Sequence, residues 1–270
     1  MNFFSESVIK PYLRECGYRR LCEIGGSEGA NTDLLLRMAE VSLEIIDPGL
    51  DSDLGHKYRG LSRVRIHKGL SLEVLPRLAG PFDCILIDGD HNWYTVYHEL
   101  KTIEERGLLL PGGTIFLHDV GHPYGRRDMY YLPESIPAEF RHPHAKKGIV
   151  EGESELSESA GTNAGLFNAE HEGGPRNGVL TAVEDFLSGH PGFYRFFRYE
   201  EEFGLGVLFR RGNRRGDWAF RKRRFRYAIH RRAIRRREKE GNRWARKLAE
   251  KIAAWTEERG FLSGKTGPSG

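Results

Sequence analysis

Residues 20–29 read RLCEIGGSEG and join an apolar run to a glycine-rich turn. The run ends on Glu23 and Ile24, and the glycines that follow stop it. Because glycine has no Cβ, the chain can turn tightly here and its backbone can approach a ligand closely. The stretch therefore predicts a first β-strand with a ligand at its C-terminal end, followed by a helix over residues 32–39.

Similar apolar runs alternate with helical patterns along the rest of the chain. Further strands are predicted over residues 42–47, 64–67, 82–88 and 114–120, with a turn over 108–113. Helices are predicted over 5–16, 71–78, 94–105 and 179–187, and an antiparallel strand pair over 194–199 and 204–209. Strands that alternate with helices predict an α/β fold. We expect a Rossmann-like, doubly wound, mostly parallel seven-stranded sheet with an antiparallel last strand.

Four of the predicted strands end on polar residues: Glu23, Asp47, Asp88 and the pair His118–Asp119. In open parallel sheets, ligands bind outside the C-terminal ends of the strands. We therefore expect these side chains to line one cleft.

The turn after the first strand also limits the kind of ligand. It lacks the Gly-x-Gly-x-x-Gly pattern of dinucleotide sites, and Glu28 would repel a pyrophosphate at the start of the helix. A cationic sulfonium with an amino-acid tail is favoured over a nicotinamide dinucleotide.

These residues resemble the class I S-adenosylmethionine-dependent methyltransferases over roughly residues 17–120. Their first motif, acid-x-Gly-x-x-x-Gly, is matched by Glu23, Gly25 and Gly29, and Asp47 matches the acid that takes the ribose hydroxyls. The most specific match is residues 108–119, with Pro-Gly-Gly ahead of an apolar strand. The resemblance implies S-adenosylmethionine as cofactor, with the following cofactor-binding residues: Glu23, Gly25, Gly26, Ser27, Gly29, Asp47, Gly69, Ser71 and Asp88.

Residues 88–91, together with His118 and Asp119, are similar to the small-molecule and sugar O-methyltransferases of the macrolide-sugar and catechol type. That subgroup is metal-dependent, which implies Asp88, His118 and Asp119 as ligands of Mg²⁺ or Mn²⁺. His118 departs from its pattern of an acidic pair, and imidazole suits Mn²⁺, Fe²⁺ or Zn²⁺ better than Mg²⁺. The implied activity is methyl transfer to a hydroxyl of a small molecule, sugar or glycan, with or without a metal.

The candidate catalytic residues are Asp88, His91 and His118. A metal would lower the pKa of an acceptor hydroxyl. Without one, Asp88, Asp90 or either histidine is a candidate for taking the proton, and an imidazole pKa near ~6.5 suits a general base. For each histidine, a structural hydrogen bond at a strand end is the alternative interpretation.

Residues 121–178 show no periodicity and are too long for a passive connection in a compact domain. We expect an insertion that covers the substrate, because loops at strand ends carry specificity in α/β enzymes. The candidate substrate-binding residues are His122, Tyr124, Arg126, Arg127 and Arg176. The arginines would hold an anionic group, or would be solvated loop charges.

Residues 210–251 contain 19 Lys or Arg against 4 Asp or Glu, although the net charge of the chain is only +4. The charge distribution predicts a methyltransferase domain over 1–209, a basic helical extension over 210–259 and a disordered tail over 260–270. Within the extension, Trp244, Leu248, Ile252 and Trp255 form one apolar helical face. That face would pack on the domain or on a second copy, lie on an anionic membrane, or bind nucleic acid.

Three cysteines without metal-type spacing indicate a reducing cytoplasm, with the thiols acting as buried apolar groups. No apolar run approaches the ~18–20 residues of a membrane span, and no secretion signal is expected. The expected location is cytoplasmic, peripheral to the membrane if the extension binds lipid.

Two other functions compete with small-molecule methylation. The basic extension would guide an RNA methyltransferase, although the sequence has no Asn-Pro-Pro-Tyr-like motif or catalytic cysteine after the fourth strand. Alternatively, the chain would be a noncatalytic cofactor-binding protein tethered to a membrane or a partner by the extension.

Overall fold

The computed structural model of the chain describes residues 1–49, 52–222 and 224. Contacts divide the chain into two units, Met1–Phe220 and Arg221–Gly270. The predicted apolar face at 244–255, the tail at 260–270 and most of the basic extension lie outside the described residues.

A seven-stranded sheet lies at the centre of the first unit, in the spatial order β3-β2-β1-β4-β5-β12-β11. Strands β1 to β5 run parallel, and β12 runs antiparallel to both of its neighbours. The strands of this sheet are β1 (Arg20–Ile24), β2 (Ser42–Asp47), β3 (Val64–Lys68), β4 (Phe82–Ile87), β5 (Leu109–His118), β11 (Tyr194–Tyr199) and β12 (Leu205–Arg210). The predicted doubly wound sheet with an antiparallel last strand is confirmed.

Helices cover both faces of the sheet. They are α1 (Asn2–Phe4), α2 (Lys10–Cys16), α3 (Ala30–Leu36), α4 (Ser52–Lys57), α5 (Ser71–Val74), α6 (Trp93–Glu105) and α7 (Val179–Ser188). On one face, Ile85 and Ile87 of the sheet pack with Val96 of α6 and Phe186 of α7 in the main apolar core. Each such side chain contributes about 1.5–3 kcal/mol on burial, so this core holds the C-terminal ends of the strands in place.

Several predicted boundaries need correction. The predicted turn over 108–113 is wrong, because β5 already begins at Leu109, which pairs with Phe82. The β4–β5 register shifts between Phe82 and Cys84, and such an irregularity accommodates Pro111, which cannot donate to a ladder.

Three helices also differ from prediction. The predicted helix over 32–39 begins at Ala30 and ends at Leu36. The one over 71–78 ends as an α-helix at Val74 and continues as a 3-10 turn, where Pro76 lacks an N–H. The first helical segment begins at Asn2 instead of residue 5 and includes a π-helical turn.

The insertion over 121–178 contains small sheets that its sequence did not reveal. The strands are β6 (Met129–Tyr130), β7 (His144–Ala145), β8 (Gly148–Ile149), β9 (Leu156–Ser157) and β10 (Phe167–Ala169). They order as β6-β10-β7 and β8-β9. Strands of two or three residues are too short to show alternation in a sequence.

Asp128 fastens the insertion to the helices around it. Its buried carboxylate accepts hydrogen bonds from the backbone N–H of Trp93 at 2.7 Å and of Gly178 at 2.6 Å, and from the Tyr130 hydroxyl at 2.8 Å. Trp93 begins α6 and Gly178 precedes α7, so one carboxyl group joins the insertion to both helices.

The three cysteines are buried and form no disulfide. Among the described residues, no helix has both the length and the apolar character needed to cross a bilayer.

Candidate active site

The turn after β1 lies directly against the end of β4. Gly25 has φ 89°, and a Cβ at this position would lie 2.2 Å from the carbonyl oxygen of Asp88. No residue with a side chain fits so close to a backbone. Gly25 therefore brings the β1 turn and Asp88 to one edge of the sheet, as the sequence predicts.

Glu23 is bound to the start of α3. Its carboxylate accepts a hydrogen bond from Asn31 Nδ2 at 2.6 Å and from Thr32 Oγ1 at 2.5 Å. Burial raises its pKa to about 7, and the two hydrogen bonds offset only part of this effect. Both carboxylate oxygens therefore bind α3, and Glu23 positions the glycine turn between β1 and that helix.

Asp47 ends β2 and orders the two neighbouring turns. Its Oδ2 accepts from the N–H of Ser27 and its Oδ1 from the N–H of Gly49, both at 2.7 Å. The N–H of Gly69 donates to the Asp47 carbonyl at 3.3 Å, which brings the β3–α5 turn beside it. A carboxylate has about four acceptor positions, so each Asp47 oxygen can still accept from a ligand hydroxyl.

The ends of β4 and β5 bring together Asp88, His118 and Asp119. His118 Nδ1 lies 2.8 Å from Asp119 Oδ2 and 3.1 Å from Asp88 Oδ1. One ligand atom from each residue lies within 4.8 Å of the others, so the three are close enough together to hold a metal ion. The backbone nitrogen of Met1 contacts the other oxygen of Asp88 at 3.0 Å.

A second histidine shares the same carboxylate. His91 Nδ1 lies 3.1 Å from Asp119 Oδ2, while its Nε2 lies 3.3 Å from the hydroxyl of Tyr131. The ring of Tyr124 stacks on His91 with a centroid distance of 5.5 Å. Asp119 thus orients both histidines, which is how a carboxylate fixes an imidazole for acid–base chemistry.

The electrostatics of this cluster follow from its partners. Burial alone would lower the pKa of His118, but its hydrogen bonds to Asp119 and Asp88 raise it to about 9. The pKa of His91 is raised as well, because Asp119 outweighs burial. Burial acts to raise the pKa of Asp119, yet the two histidines hold it well below its usual range. Asp119 itself has φ 60°, a backbone conformation often stabilised at functional sites.

The predicted substrate-binding residues lie in different environments. Tyr124 is beside His91, and His122 is exposed. Arg126 forms a paired hydrogen bond with Glu184, and Arg176 lies over the rings of Trp93 and Phe140.

Arg127 is the clearest departure from the expected substrate role. It is fully buried, and its guanidinium donates to the carbonyls of Ala169 and Ser154. The insertion is therefore held together by a side chain that the sequence placed in the substrate site.

Some residues of the site were not among those predicted from the sequence. Tyr131 reaches His91 from the insertion, and Asn31 and Thr32 bind Glu23 from α3. Tyr131 lies in a stretch without periodicity, so only the fold brings it to His91. The polar side chains at the start of α3 could have been recognised as partners of a buried acid.

Residues 22–120 match a family model described as a methyltransferase domain. This part of the chain is a methyltransferase domain. The match includes the ends of all the strands that carry Glu23, Asp47, Asp88 and His118–Asp119. The sequence-based recognition of a class I methyltransferase is confirmed.

Solved structures similar to the chain include an S-adenosylhomocysteine-bound methyltransferase, PaMTH1, from Podospora anserina. It is 16% identical, with 74% of each chain covered and a TM-score of 0.47. An O-methyltransferase family protein from Burkholderia thailandensis is 15% identical, with 78% of this chain and 54% of that chain covered and a TM-score of 0.42. Human N-acetylserotonin methyltransferase in complex with S-adenosylmethionine is 14% identical, with 77% and 51% covered and a TM-score of 0.43. No curated protein matches the chain.

Proposed function

We propose that the methyltransferase domain transfers the methyl group of S-adenosylmethionine to a hydroxyl of a small molecule or sugar. The observation that carries this proposal is the position of Asp88. It touches the glycine turn of β1 on one side and the two-histidine cluster around Asp119 on the other. A ligand-binding turn and a proton-handling group therefore share one edge of the sheet.

The β1 turn, Asp47 and the β3–α5 turn form the part of the site that fits a nucleoside with a cationic tail. Asp47 has free acceptor positions for ribose hydroxyls, and Gly25 packs the β1 turn directly against the backbone of Asp88. Gly69 follows β3 and donates to the Asp47 carbonyl, and Ser71 begins α5 two residues later; the base would lie beside this turn. When bound, S-adenosylmethionine supplies an electrophilic methyl group on a sulfonium centre.

The cluster of histidines around Asp119 is suited to accept one proton from a substrate. Asp119 binds Nδ1 of His91, so Nε2 is the nitrogen that points towards Tyr131 and the surface of the site. Because the pKa of His91 is raised, the ring must first lose its Nε2 proton. The neutral ring can then take the proton of a hydroxyl placed near Nε2, and Asp119 stabilises the imidazolium that results. His118 contacts the same oxygen of Asp119, and Asp88 contacts His118 in turn.

The same cluster fits a divalent cation. Asp88, His118 and Asp119 would hold it, and one nitrogen with two carboxylates favours Mn²⁺ over Mg²⁺. Such an ion would lower the pKa of a bound acceptor hydroxyl. His91 lies outside this ligand set and keeps its outward nitrogen in either case.

The RNA-methyltransferase and tethering alternatives depend on the basic extension, most of which lies outside the described residues. They stay predictions, as do the cytoplasmic location and a homo-oligomer formed through that extension. Salt-dependent RNA binding and liposome sedimentation, each with and without residues 210–270, would test them.

The first test is calorimetry with S-adenosylmethionine and S-adenosylhomocysteine. We expect micromolar binding to the parent protein and a loss of ~10–100-fold in Asp47→Ala, because hydrogen bonds to a charged group are removed. Asp33→Ala is the matched control, since Asp33 is a half-buried acid of α3 whose carboxylate is held by Lys57 and by the Tyr58 hydroxyl. Absence of binding to the parent would contradict the proposed function.

The metal is tested separately with Mn²⁺ alone, followed by its electron paramagnetic resonance. We expect binding to the parent and at least ~10-fold weaker binding to Asp88→Asn, because one of three ligand groups is weakened. Glu28→Gln, an exposed acid of the β1 turn, should leave Mn²⁺ binding unchanged. Equal Mn²⁺ binding by parent and Asp88→Asn would remove the metal from the proposal while leaving methyl transfer intact.

A further inference from the structure

Large apolar side chains are exposed around the two histidines of the site. Phe203 is 50% exposed, and its ring lies 6.2 Å from that of His118. Tyr131 is 53% exposed, and its ring lies 5.8 Å from that of His91. Because both histidines contact the same oxygen of Asp119, these two rings flank one small area. We call Phe203 and Tyr131 the aromatic rim.

Two further apolar residues near the aromatic rim are exposed. Leu132 follows Tyr131, and it is 49% exposed. Phe3 is 52% exposed and packs edge-on against Phe4, whose ring is 6.4 Å from His118. The rim and its neighbours come from the N-terminal helix, the insertion and the β11–β12 turn. Ring contacts with the histidine pair thus come from three segments, through Phe4, Tyr131 and Phe203.

The backbone of the β11–β12 turn is strained where it carries Phe203. Glu202 has φ 46° and Phe203 has φ 69°, a left-handed conformation that is rare for residues with side chains. The turn is fixed by a hydrogen bond from the N–H of Gly121 to the Phe203 carbonyl at 2.6 Å. Strain of this kind persists where it serves a site, and here it points an aromatic ring towards His118 instead of into the core.

Tyr131 differs from a packed tyrosine in the same way. Its hydroxyl lies 3.3 Å from His91 Nε2, the nitrogen that the proposed reaction uses. Half of its surface is open to solvent, so the ring gains little from the core. An aromatic ring that is both exposed and placed against the reacting group is suited to contact a bound molecule.

We infer that Phe203 and Tyr131 determine acceptor specificity by holding a flat apolar group attached to the hydroxyl-bearing part of the substrate. The inference rests on the proposed function and narrows its acceptor. The hydroxyl lies at His91 Nε2, and the apolar group lies against the rim that flanks it. A small free sugar would leave both rings in water, whereas an aryl or similarly flat substituent would cover them.

The test compares two probes that share one sugar and differ in their aglycone, 4-nitrophenyl β-D-glucoside and methyl β-D-glucoside. Their binding is measured by calorimetry on the full chain, with and without S-adenosylhomocysteine. We expect the aryl glucoside to bind at least ~10-fold more tightly, since covering a pair of aromatic rings contributes more than 1.4 kcal/mol.

Three variants then locate the preference. Phe203→Gly removes the ring and relieves the backbone strain, so we expect at least a ~3-fold loss of the aryl preference without loss of thermal stability. Tyr131→Ala should act likewise, whereas Tyr131→Phe should keep the preference because the ring remains. Phe193→Ala is the matched control, because Phe193 is 65% exposed at the opposite end of β11.

The possible outcomes separate the specificity inference from the proposed function. Equal binding of both glucosides, no binding of the aryl glucoside, or an aryl preference that survives Phe203→Gly and Tyr131→Ala would overturn the inference. Lack of S-adenosylhomocysteine binding would instead contradict the proposed function, while the preference for the aryl glucoside would still be measurable on the free protein.

Discussion

Two carboxyl groups are equally hidden from water, one at the end of β5 and one on the buried side of α6, and they differ in charge. Asp119 is 5% exposed and contacts two imidazoles, which keep it ionised. Glu99 is 0% exposed, and neither of its oxygens has a hydrogen-bond partner of normal geometry among the described residues. Burial raises the pKa of Glu99 to about 8, and the nearby Ser71 hydroxyl offsets this only in part.

The difference shows that partners, and not depth, set the state of an acid in this domain. A buried acid with cationic partners keeps its charge and can organise proton transfer. A buried acid without them holds its proton at neutral pH and behaves as a polar core residue. Glu23 is intermediate, because neutral donors from α3 leave its pKa at about 7.

The largest effect is expected when Asp119 loses its charge. Asp119→Asn leaves two buried histidines without their shared counter-ion, so we expect the free energy of unfolding at pH 7 to fall by about 3–5 kcal/mol. The backbone conformation is not the cause, because asparagine tolerates φ 60°. Urea unfolding measures the change. If Asp119→Asn were no more destabilising than Glu99→Gln at pH 7, partners would not explain the contrast between the two acids.

Glu99→Gln tests the other side of the comparison. The folded-state pKa of about 8 lies above the ordinary glutamate pKa of 4.5, so the unfolded state ionises first as pH rises. Between these two values the parent loses up to about 1.4 kcal/mol of unfolding free energy per pH unit from this residue, and the glutamine variant does not.

The measurement is urea unfolding of both proteins from pH 4.5 to 8.5. The difference in unfolding free energy should shift in favour of Glu99→Gln as pH rises and should level off above pH 8. A constant difference across this range would show that the pKa of Glu99 is not raised in the folded protein.

The smallest loss of unfolding free energy is expected for an acid that has a cationic partner but is exposed to solvent. Glu184 is exposed and accepts two hydrogen bonds from Arg126 at 2.7 and 2.8 Å. Because water screens such pairs, Glu184→Gln should lower the unfolding free energy by less than about 1 kcal/mol, and less still in 1 M salt. A loss comparable to that of Asp119→Asn would mean that burial contributes little to the contrast.

Sequence patterns predicted the parts of the fold that repeat a simple rule. Continuous apolar runs such as Phe82–Ile87 mark buried parallel strands, and the polar residues that end them mark the ligand edge. This was enough to bring Asp47, Asp88 and His118–Asp119 to one side of the sheet. The topology confirms this architecture.

The remainder depends on contacts between residues distant in sequence. The guanidinium of Arg127 is a group that commonly binds anions. Here it donates to backbone carbonyls inside the insertion instead. Phe203 and Tyr131 are ordinary aromatic residues until the β11–β12 turn and the insertion place them beside His118 and His91. No local pattern encodes such placements.

Asp128 links three segments, so they should open together when the domain unfolds locally. Its carboxylate joins the first residue of α6, the residue before α7 and the first insertion strand, so these segments cannot separate without breaking hydrogen bonds to one shared carboxylate. We expect their amide hydrogens to exchange with solvent at one common, slow rate, as a single cooperative unit. A substrate would then enter past the rim side chains while the insertion stays closed on its helices.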